Sequence, residues 1–456
     1  MPRQILRWMH ILLLSSLLVT LGVWGHVVVQ NSTTKSVASK TTIQSPPDAS
    51  PREATKDVQS YRLSPERYQK AIAYSRARYW AYFIGSAYFL VILLVLLRCR
   101  IAPRLRDTAM RASSRYAVRI LLFALLFMLL LGVLGLPTDL YGQWLSLKYD
   151  QSVQGWGSWF WDWTKGQLLA LAVGTLFIAI LYGVIRRSPR RWWFYFWLVA
   201  VPILLFIFFI QPLLIDPLFN KFEPLQTTHP ELVSSIEKVL SHAGLTIPRD
   251  RMFLMKASEK TKQVDAYVTG LGASKRVVIW DTIIAAEPGV LIMHTLGHEL
   301  GHYVLGHIWR GCAFFAALVF VVLYLAKRFF DWALAKWGAR LGIRGADDWA
   351  SLPLLVMIVY SLFLLSTPIG NAFSRYQEHE ADRYGLEVIH GIVDDPGEVA
   401  AQAFEVEGEI DLQDPAPPAF IEFWLYDHPA VNDRILFSRT YNPWAKGKSR
   451  DTCLDR

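Results

Sequence analysis

Residues 194–215 read FYFWLVAVPILLFIFFIQPLLI, and this stretch decides the class of fold. It contains no charged side chain, and a helix that crosses a bilayer needs about 20 predominantly apolar residues. With a run near the N-terminus, residues 11–29, the sequence predicts about seven membrane-spanning helices. The other apolar runs are Tyr79–Leu97, Val118–Leu136, Leu168–Val184, Ala313–Ala326 and Leu352–Pro368.

The composition of the 456 residues agrees with a polytopic membrane protein, since 53% are hydrophobic and only 19% are charged. A soluble domain is about 45–50% apolar and about 25% charged. A disordered chain is excluded because such chains lack apolar residues. Three scattered cysteines make neither a disulfide framework nor a zinc knuckle.

Lysine and arginine outnumber aspartate and glutamate, 47 to 38, which gives a net charge of +9. They cluster in short loops beside the apolar runs, at residues 98–119, 186–191 and 327–344. We therefore expect anionic lipid headgroups, and not nucleic acid, as the partners of this charge. By the positive-inside rule the three loops face the cytoplasm, which places residues 216–310 and the chain after 368 on the opposite face.

The region after residue 215 is the first that resembles a soluble domain. Thr228 with Glu231 three residues later predicts a capped helix, and Gly244 marks its end. A helix over residues 287–304 follows three short strands, so an α+β unit beside the membrane is predicted. The predicted strands are Met252–Met255, Val264–Thr269 and Arg276–Trp280.

The predicted helix over 287–304 contains the sequence HELGH, His298 to His302. Residues four apart share a helix face, so both imidazoles can reach one metal ion. Glu299 projects beside them and can act as a general base on a zinc-activated water. Because five letters match by chance in many chains, this motif alone leaves two ordinary histidines as the alternative.

A catalytic zinc site takes three protein ligands and keeps one position for water. Residues 374–385 read SRYQEHEADRYG, directly after the last apolar run. Glu378, His379, Glu380 and Asp382 are all candidates for the third ligand. Glu378 and Asp382 share a helix face, so one could bind the metal while the other holds a ligand histidine.

Several separated motifs together resemble the integral-membrane CAAX prenyl endopeptidases, seven-span zinc proteases of the gluzincin type. The resemblance covers most of the chain from about residue 61 onward. The motifs are Pro217–Leu225, Lys275–Thr282, Leu296–His302, Ser374-Arg375 with Glu378 and Ala381-Asp382, and Leu136-Pro137 with Tyr141.

The resemblance implies helices around a chamber, with a zincin-like α+β catalytic region and one Zn²⁺ per chain. It implies that His298, His302 and Glu378 bind the zinc ion and that Glu299 is the general base. Asp382 matches an acid that orients a ligand histidine.

Two further elements of this family concern the substrate. His428 and Arg434 match a histidine and an arginine that face the substrate and would stabilise the oxyanion. Asp265, Ala266 and Tyr267 stand where the family has Asn-Ala-Tyr on an edge strand that pairs with the substrate backbone. Pairing through main-chain groups survives this change, but an amide donor from position 265 does not.

Other histidines and the tail receive plainer interpretations. We expect His294 to orient a ligand or to be solvated, and we assign no role to His307. His379 and His390 are expected at the surface. The tail with Cys453 lacks the aliphatic pattern of a prenylation signal.

Residue ranges follow from these observations. The predicted domains are 1–29, a first membrane helix or signal peptide; 30–65, a polar linker; 66–215, membrane helices two to five; 216–310, the zinc-protease domain with the HELGH helix; 311–371, helices six and seven; and 372–456, the third-ligand helix and the C-terminal part of the catalytic region.

The predicted function is a membrane-embedded zinc metalloendopeptidase, similar to CAAX prenyl proteases. Its substrate would be a peptide or protein, either lipidated or membrane-associated. One alternative is a general membrane quality-control protease unrelated to prenylation, and a remote one is a channel or transporter with a vestigial metal site. The resemblance places the zinc site on the cytosolic face, whereas the basic loops place it outside. Neither specifies the oligomeric state.

Overall fold

A computed structural model describes residues 61–446, apart from 62 and 271. The predicted first span at 11–29 and the tail at Cys453 lie outside these residues. Within them, 6 helices are long and apolar enough to cross a membrane. They are α1 (Pro65–Arg98), α3 (Tyr116–Lys148), α4 (Trp156–Arg187), α5 (Trp192–Leu214), α11 (His307–Leu341) and α12 (Leu352–Ile389), and α2 (Ile101–Ala112) joins the first two.

These helices extend well beyond the apolar runs that predicted them. Helix α11, with 35 residues, is about 52 Å long, whereas the hydrocarbon core is about 30 Å thick. Helix α12 continues through Pro368 to Ile389, so the last membrane helix and the third-ligand helix, which the predicted domains divide at 371/372, are one helix. Proline is tolerated inside such helices because neighbouring groups satisfy the freed backbone. Glu378 and Asp382 are therefore attached rigidly to a membrane helix.

The largest hydrophobic core of the helical bundle lies at the end that carries the basic loops. Its members come from the last part of α1, α4 and α11 and from the first part of α3, α5 and α12. The halves beside the catalytic region form smaller separate clusters. Tight packing at one end and separate clusters at the other fit the predicted helices around a chamber. The bulkiest buried side chains of this core include Phe89, Phe123, Tyr182, Trp192, Phe330 and Tyr360.

Two of the three basic loops contact each other directly. Arg106 forms a buried ion pair with Asp348, at 2.5 Å between Nη1 and Oδ2. Arg100 donates to the carbonyl oxygen of Arg340 at 2.8 Å. Both loops thus lie on one face of the bundle, and the alternation of the helices places the catalytic region on the other.

The catalytic region is built on a four-stranded sheet in the order β1-β2-β4-β3, with β3 at an edge. Strand β4 runs parallel to β2 and antiparallel to β3. The second and fourth strands match their predictions, β3 begins two residues later than predicted, and β1 was missed. The strands are β1 (Phe222–Pro224), β2 (Met252–Met255), β3 (Ala266–Thr269) and β4 (Arg276–Trp280).

Helices cover this sheet and connect it to the bundle. The catalytic helix α10 packs against β3 in one hydrophobic core, which includes Ala266, Val268, Leu296 and Leu300. It begins at Gly289 and not at 287, because residues 281–286 form a helix of their own. The helices are α6 (Asp216–Phe219), α7 (Leu225–Thr228), α8 (Pro230–His242), α9 (Asp281–Ala286), α10 (Gly289–Val304), α13 (Pro396–Ile410), α14 (Ala419–Leu425) and α15 (Val431–Thr440).

The predicted cap of helix α8 was wrong. Thr228 ends α7, and its hydroxyl donates to the carbonyl oxygen of Leu225. His229 precedes α8 without a capping side chain. Pro230 at the first helical position supplies the start signal instead, since it needs no hydrogen-bond acceptor there. The end of α8 was predicted correctly, because the chain turns at Gly244 with a φ of +66°.

Candidate metal centre and active site

Helix α10 places three chemically active side chains in a buried position. The Nε2 atoms of His298 and His302 lie 3.1 Å apart, on the helix face predicted from their spacing. A carboxylate oxygen of Glu299 lies within 4.8 Å of both imidazoles. Two imidazole nitrogens at this separation converge on one point, as two ligands of one metal ion do.

The carboxylate of Glu378 approaches the same point from helix α12. Its Oε2 atom lies 3.2 Å from Nε2 of His298 and 3.6 Å from Nε2 of His302. Ligand atoms about 2.0–2.1 Å from a tetrahedral zinc ion are about 3.3 Å from one another. The three separations, 3.1, 3.2 and 3.6 Å, fit this spacing. The donor set therefore fits a zinc ion.

Glycines allow α10 and α12 to approach closely enough for this arrangement. A Cβ atom on Gly385 would lie 3.0 Å from the backbone nitrogen of His298. On Gly301 it would lie 3.2 Å from the Cα atom of Ala381, and on Gly297 it would lie 2.7 Å from Val388. Sequence reasoning missed this contact, although Gly297 and Gly301 form the small-xxx-small pattern typical of closely packed helices.

Asp382 and Arg434 lie behind the ring of His298. The Nδ1 atom of His298 lies 2.8 Å from Asp382, which fixes the ring so that Nε2 faces the other ligand atoms. Arg434, from α15, pairs with the same carboxylate, and its guanidinium stacks 4.0 Å from the ring centre of Phe404. Its predicted contact with the substrate stays a prediction, since the contacts observed are with Asp382, His298 and Phe404.

His428 reaches the site from the segment between α14 and α15. Its Nε2 atom lies 3.1 Å from Oε2 of Glu378, and its Nδ1 atom lies 2.9 Å from Asp427. Burial by itself lowers the pKa of His428, but these two carboxylates raise it to about 9. An imidazole N–H beside the centre is a suitable donor to a developing oxyanion.

Glu299 is buried, and burial raises the pKa of its carboxyl above the ordinary value. A raised pKa suits a general base that must accept a proton near neutral pH and later return it. Its position beside the two imidazoles agrees with the predicted role. The residues alone left the third ligand open among Glu378, His379, Glu380 and Asp382, and the carboxylate of Glu378 lies 3.2 Å from Nε2 of His298.

His294, one turn before His298, is buried, so its predicted solvated alternative was wrong. Its ring packs edge-on against Phe404, with ring centres 5.0 Å apart. Burial, together with the neighbouring His298, lowers the pKa of His294 to about 3. This imidazole is therefore neutral. His379 and His390 are exposed, as predicted.

His307 is the residue whose place the sequence did not predict. It begins helix α11, is fully buried, and its Nδ1 atom lies 3.0 Å from Nδ1 of His302. The signal that could have found it is the pair of glycine-histidine dipeptides at 301–302 and 306–307, since the second follows a glycine that can reverse the chain.

The three predicted substrate-binding residues lie at the beginning of the edge strand. Ala266 and Tyr267 open β3, whereas Asp265 precedes it, so the strand placement of Asp265 was wrong. The carbonyl oxygen of Asp265 accepts from the backbone of Trp280 at 3.2 Å. Among the described strands β3 pairs only with β4, so no described strand pairs with its other edge.

Comparison with known proteins connects this geometry to a family. Residues 49–221 match the model of the CAAX prenyl protease N-terminal domain with five membrane helices, and residues 226–440 match peptidase family M48. The uncharacterized metalloprotease YhfN of Bacillus subtilis is 32% identical over 373 residues, which cover 82% of this chain and 85% of YhfN. This chain belongs to peptidase family M48.

Other relatives agree with M48 membership. CAAX prenyl protease 1 of Saccharomyces cerevisiae is 27% identical over 275 residues, covering 58% of this chain and 60% of the yeast protein. The crystal structure of Ste24p from S. mikatae has the same fold, with a TM-score of 0.71 at 21% identity over 85% of this chain and 93% of Ste24p. The resemblance to CAAX prenyl endopeptidases is confirmed.

M48 membership fixes the class of activity and the location. The chain is an integral, multi-pass membrane metalloendopeptidase that hydrolyses peptide bonds in peptides or proteins and uses a metal cofactor. The channel or transporter alternative is not favoured, because residues 226–440 match peptidase family M48 and the HELGH helix faces the carboxylate of Glu378.

Proposed function

We propose that this M48 protease is a zinc endopeptidase with His298, His302 and Glu378 as the metal ligands. The observation that carries the proposal is the mutual spacing of their three donor atoms, which matches one tetrahedral zinc site. Imidazole and carboxylate ligands also suit zinc better than they suit calcium or magnesium, which take oxygen ligands alone.

Held by His298, His302 and Glu378, a zinc ion would supply Lewis acidity, which would lower the pKa of water to about 7 and polarise a carbonyl group. Glu299 accepts the proton of the attacking water and delivers it to the leaving amine. His428 donates an N–H to the oxyanion that forms at the scissile carbonyl. Asp382 holds the ring of His298 through Nδ1, and Arg434 holds Asp382 in turn.

The substrate would bind in an extended conformation along β3. The outer edge of this strand can pair with a peptide backbone, which is the usual way an edge strand recognises an extended chain. Ala266 and Tyr267 would contribute main-chain groups to this pairing. The carboxylate of Asp265 would repel an acidic side chain or the carboxylate of a nearby C-terminus.

Two substrate classes fit a site beside a helical bundle. A peptide with a C-terminal prenyl group agrees with the CAAX prenyl protease relatives. An unfolded or membrane-bound protein is the second candidate, and the basic loops support it, since the positive-inside rule favours an extracytoplasmic catalytic region. Incubating the purified protein with a prenylated peptide, its unprenylated form and an unfolded membrane protein separates them, because each class predicts which substrates are cleaved.

The reaction assignment is tested by Glu299→Gln. This change removes the base but keeps the shape of the side chain, so cleavage should fall by roughly 10²–10⁴-fold. Metal content should stay near that of the wild type. The exposed His390, changed to Gln, serves as the control for a substitution away from the site. Full activity in the Glu299→Gln protein would contradict the assignment.

The side of the membrane requires its own experiment. We propose that the catalytic region lies outside the cytoplasm, since both contacting basic loops lie on the opposite face of the bundle. A reporter enzyme that is active only after export, fused after Arg456, should be active. A reporter that is active only in the cytoplasm should be silent, and the reverse pattern would refute this orientation.

A further inference from the structure

We infer that His307 is a positioning residue: its imidazole accepts a hydrogen bond from His302 and so holds the ring of this proposed metal ligand in place. The geometry is a chain of contacts: Nδ1 of His302 to Nδ1 of His307 at 3.0 Å, and Nε2 of His307 to Glu380 at 3.4 Å. Arg310 pairs with the same carboxylate at 2.8 Å. This inference rests on the proposed metal site.

Local backbone geometry brings His307 back onto the catalytic helix. Helix α10 ends at Val304, and Gly306 adopts a φ of +68°, a left-handed conformation that glycine takes without strain. The turn starts α11 at His307, directly above the last turn of α10. The two imidazole rings meet at 71°, with centres 5.0 Å apart. A non-glycine residue at 306 would strain this turn and move the second ring.

The contacts of the two imidazoles indicate which ring nitrogen carries each proton. Because Nε2 of His302 faces the other metal-ligand atoms, its proton sits on Nδ1 and is donated to Nδ1 of His307. His307 then carries its own proton on Nε2, which lies 3.4 Å from the carboxylate of Glu380 without forming a hydrogen bond to it. A ligand histidine is commonly oriented by a carboxylate or a backbone carbonyl at its other ring nitrogen. Here the imidazole of His307 takes the place of that group, and the carboxylate of Glu380 acts on it only through its charge, at 3.4 Å.

Two ligand histidines are thus supported differently. His298 contacts the carboxylate of Asp382 directly, whereas His302 contacts a neutral imidazole. Among the described residues, no other group forms a hydrogen bond or ion pair with Nδ1 of His302. Removing the acceptor at 307 should therefore leave a buried N–H without a partner and free the ring to turn away from the metal.

The test uses the full-length protein in detergent and measures metal binding rather than cleavage. We expect His307→Leu, which removes the acceptor but fills the space, to weaken zinc binding by about 10–100-fold in competition with a chelator. His307→Asn places an amide oxygen near the position of Nδ1 and should restore binding to within a few-fold of wild type. His390→Leu is the control for replacing a histidine elsewhere.

Glu380→Gln tests the second contact. It should weaken zinc binding several-fold in the wild-type background and have no effect in the His307→Asn background, because the asparagine does not reach Glu380. The absorption spectrum of the Co²⁺-substituted protein should change in His307→Leu and not in His307→Asn. A merely structural role for His307 would alter the melting temperature of the metal-free protein and leave both metal readouts unchanged.

Each outcome decides the matter. Unchanged zinc affinity and an unchanged Co²⁺ spectrum in His307→Leu overturn the inference. If that variant does not fold, the pair Glu380→Gln and His307→Asn decides, and an equal effect of Glu380→Gln in both backgrounds overturns it. Wild-type protein that binds no zinc would instead refute the proposed function, so the two failures are distinguishable.

Discussion

Arg434 and Asp382 form a two-point ion pair in the interior of the catalytic region, with Nε 2.9 Å from Oδ2 and Nη2 2.5 Å from Oδ1. Both side chains are buried, and the same carboxylate contacts the ring of His298 at 2.8 Å. Residues 52 positions apart in the chain therefore control the orientation of one metal ligand. Arg434 thus holds Asp382, and Asp382 holds the ring of His298, whether or not Arg434 also contacts the substrate.

Replacing Arg434 with Ala should destabilise the protein by roughly 3–5 kcal/mol, because it leaves a buried carboxylate without its counter-charge. The measurement is thermal unfolding in detergent of the metal-free protein. Arg249→Ala, which removes an exposed partner of Glu237, is the matched control and should leave the melting temperature near that of wild type. Equal melting temperatures for the two variants would show that the buried pair contributes little.

Gly385→Ala should weaken the metal site although residue 385 binds nothing. The added methyl group would meet the backbone of His298 at 3.0–3.2 Å, so α10 and α12 would have to separate. Such overpacking costs about 1–3 kcal/mol, and we expect lower zinc affinity together with lower stability. Gly289→Ala is the control, since its Cβ atom meets nothing within 4 Å. A Gly385→Ala protein that bound zinc like wild type would contradict the proposed role of close packing.

Glu287 should make stability depend on pH. Burial, and then the charge of Glu407, raise its pKa from 4.5 to about 9. Between these two pH values the folded protein holds a proton that the unfolded chain releases. The contribution of this proton to the free energy of unfolding is therefore fully present below pH 4.5 and is lost as the pH rises through 9. Glu287→Gln removes the free-energy cost of ionising this buried carboxyl. The melting temperature of the variant should therefore exceed that of wild type by an amount that grows from pH 5 to pH 9.

The control for Glu287 is Asp250→Asn, which changes an exposed carboxyl on the same region. Its difference from wild type should be constant over this pH range. A constant difference for Glu287→Gln as well would mean that the buried carboxyl does not bind the proton assigned to it.

Chelation should identify which glutamate binds the metal. Ligand binding stabilises the folded state in proportion to the logarithm of ligand concentration, by about 4 kcal/mol at 1,000 times Kd. Wild type and Glu299→Gln should therefore lose melting temperature on addition of a chelator and regain it with zinc. Glu378→Gln should show a much smaller shift. The opposite result, a small shift in Glu299→Gln and a full one in Glu378→Gln, would exchange the two roles.

Much of the site could be predicted because short-range spacing sets it. The four-residue interval between His298 and His302 places both rings on one helix face in any helix of normal geometry. Strands β2 and β4 were predicted residue for residue, since turn residues bound them on both sides. The cap at Thr228 was wrong because the neighbouring Pro230 starts the helix by a different mechanism. The missed β1 is short and gains its strand conformation only by pairing with β2.

The sequence by itself determined the helices that suit a membrane, the basic face of the bundle and the two histidines with their glutamate. Each depends on local periodicity or composition, which folding preserves. Only the tertiary structure decided the partners of those histidines. Glu378 and Asp382 reach His298 because glycines let α10 approach α12, and His307 reaches His302 because Gly306 reverses the chain. Contacts of this kind join residues through space, and no local spacing specifies them.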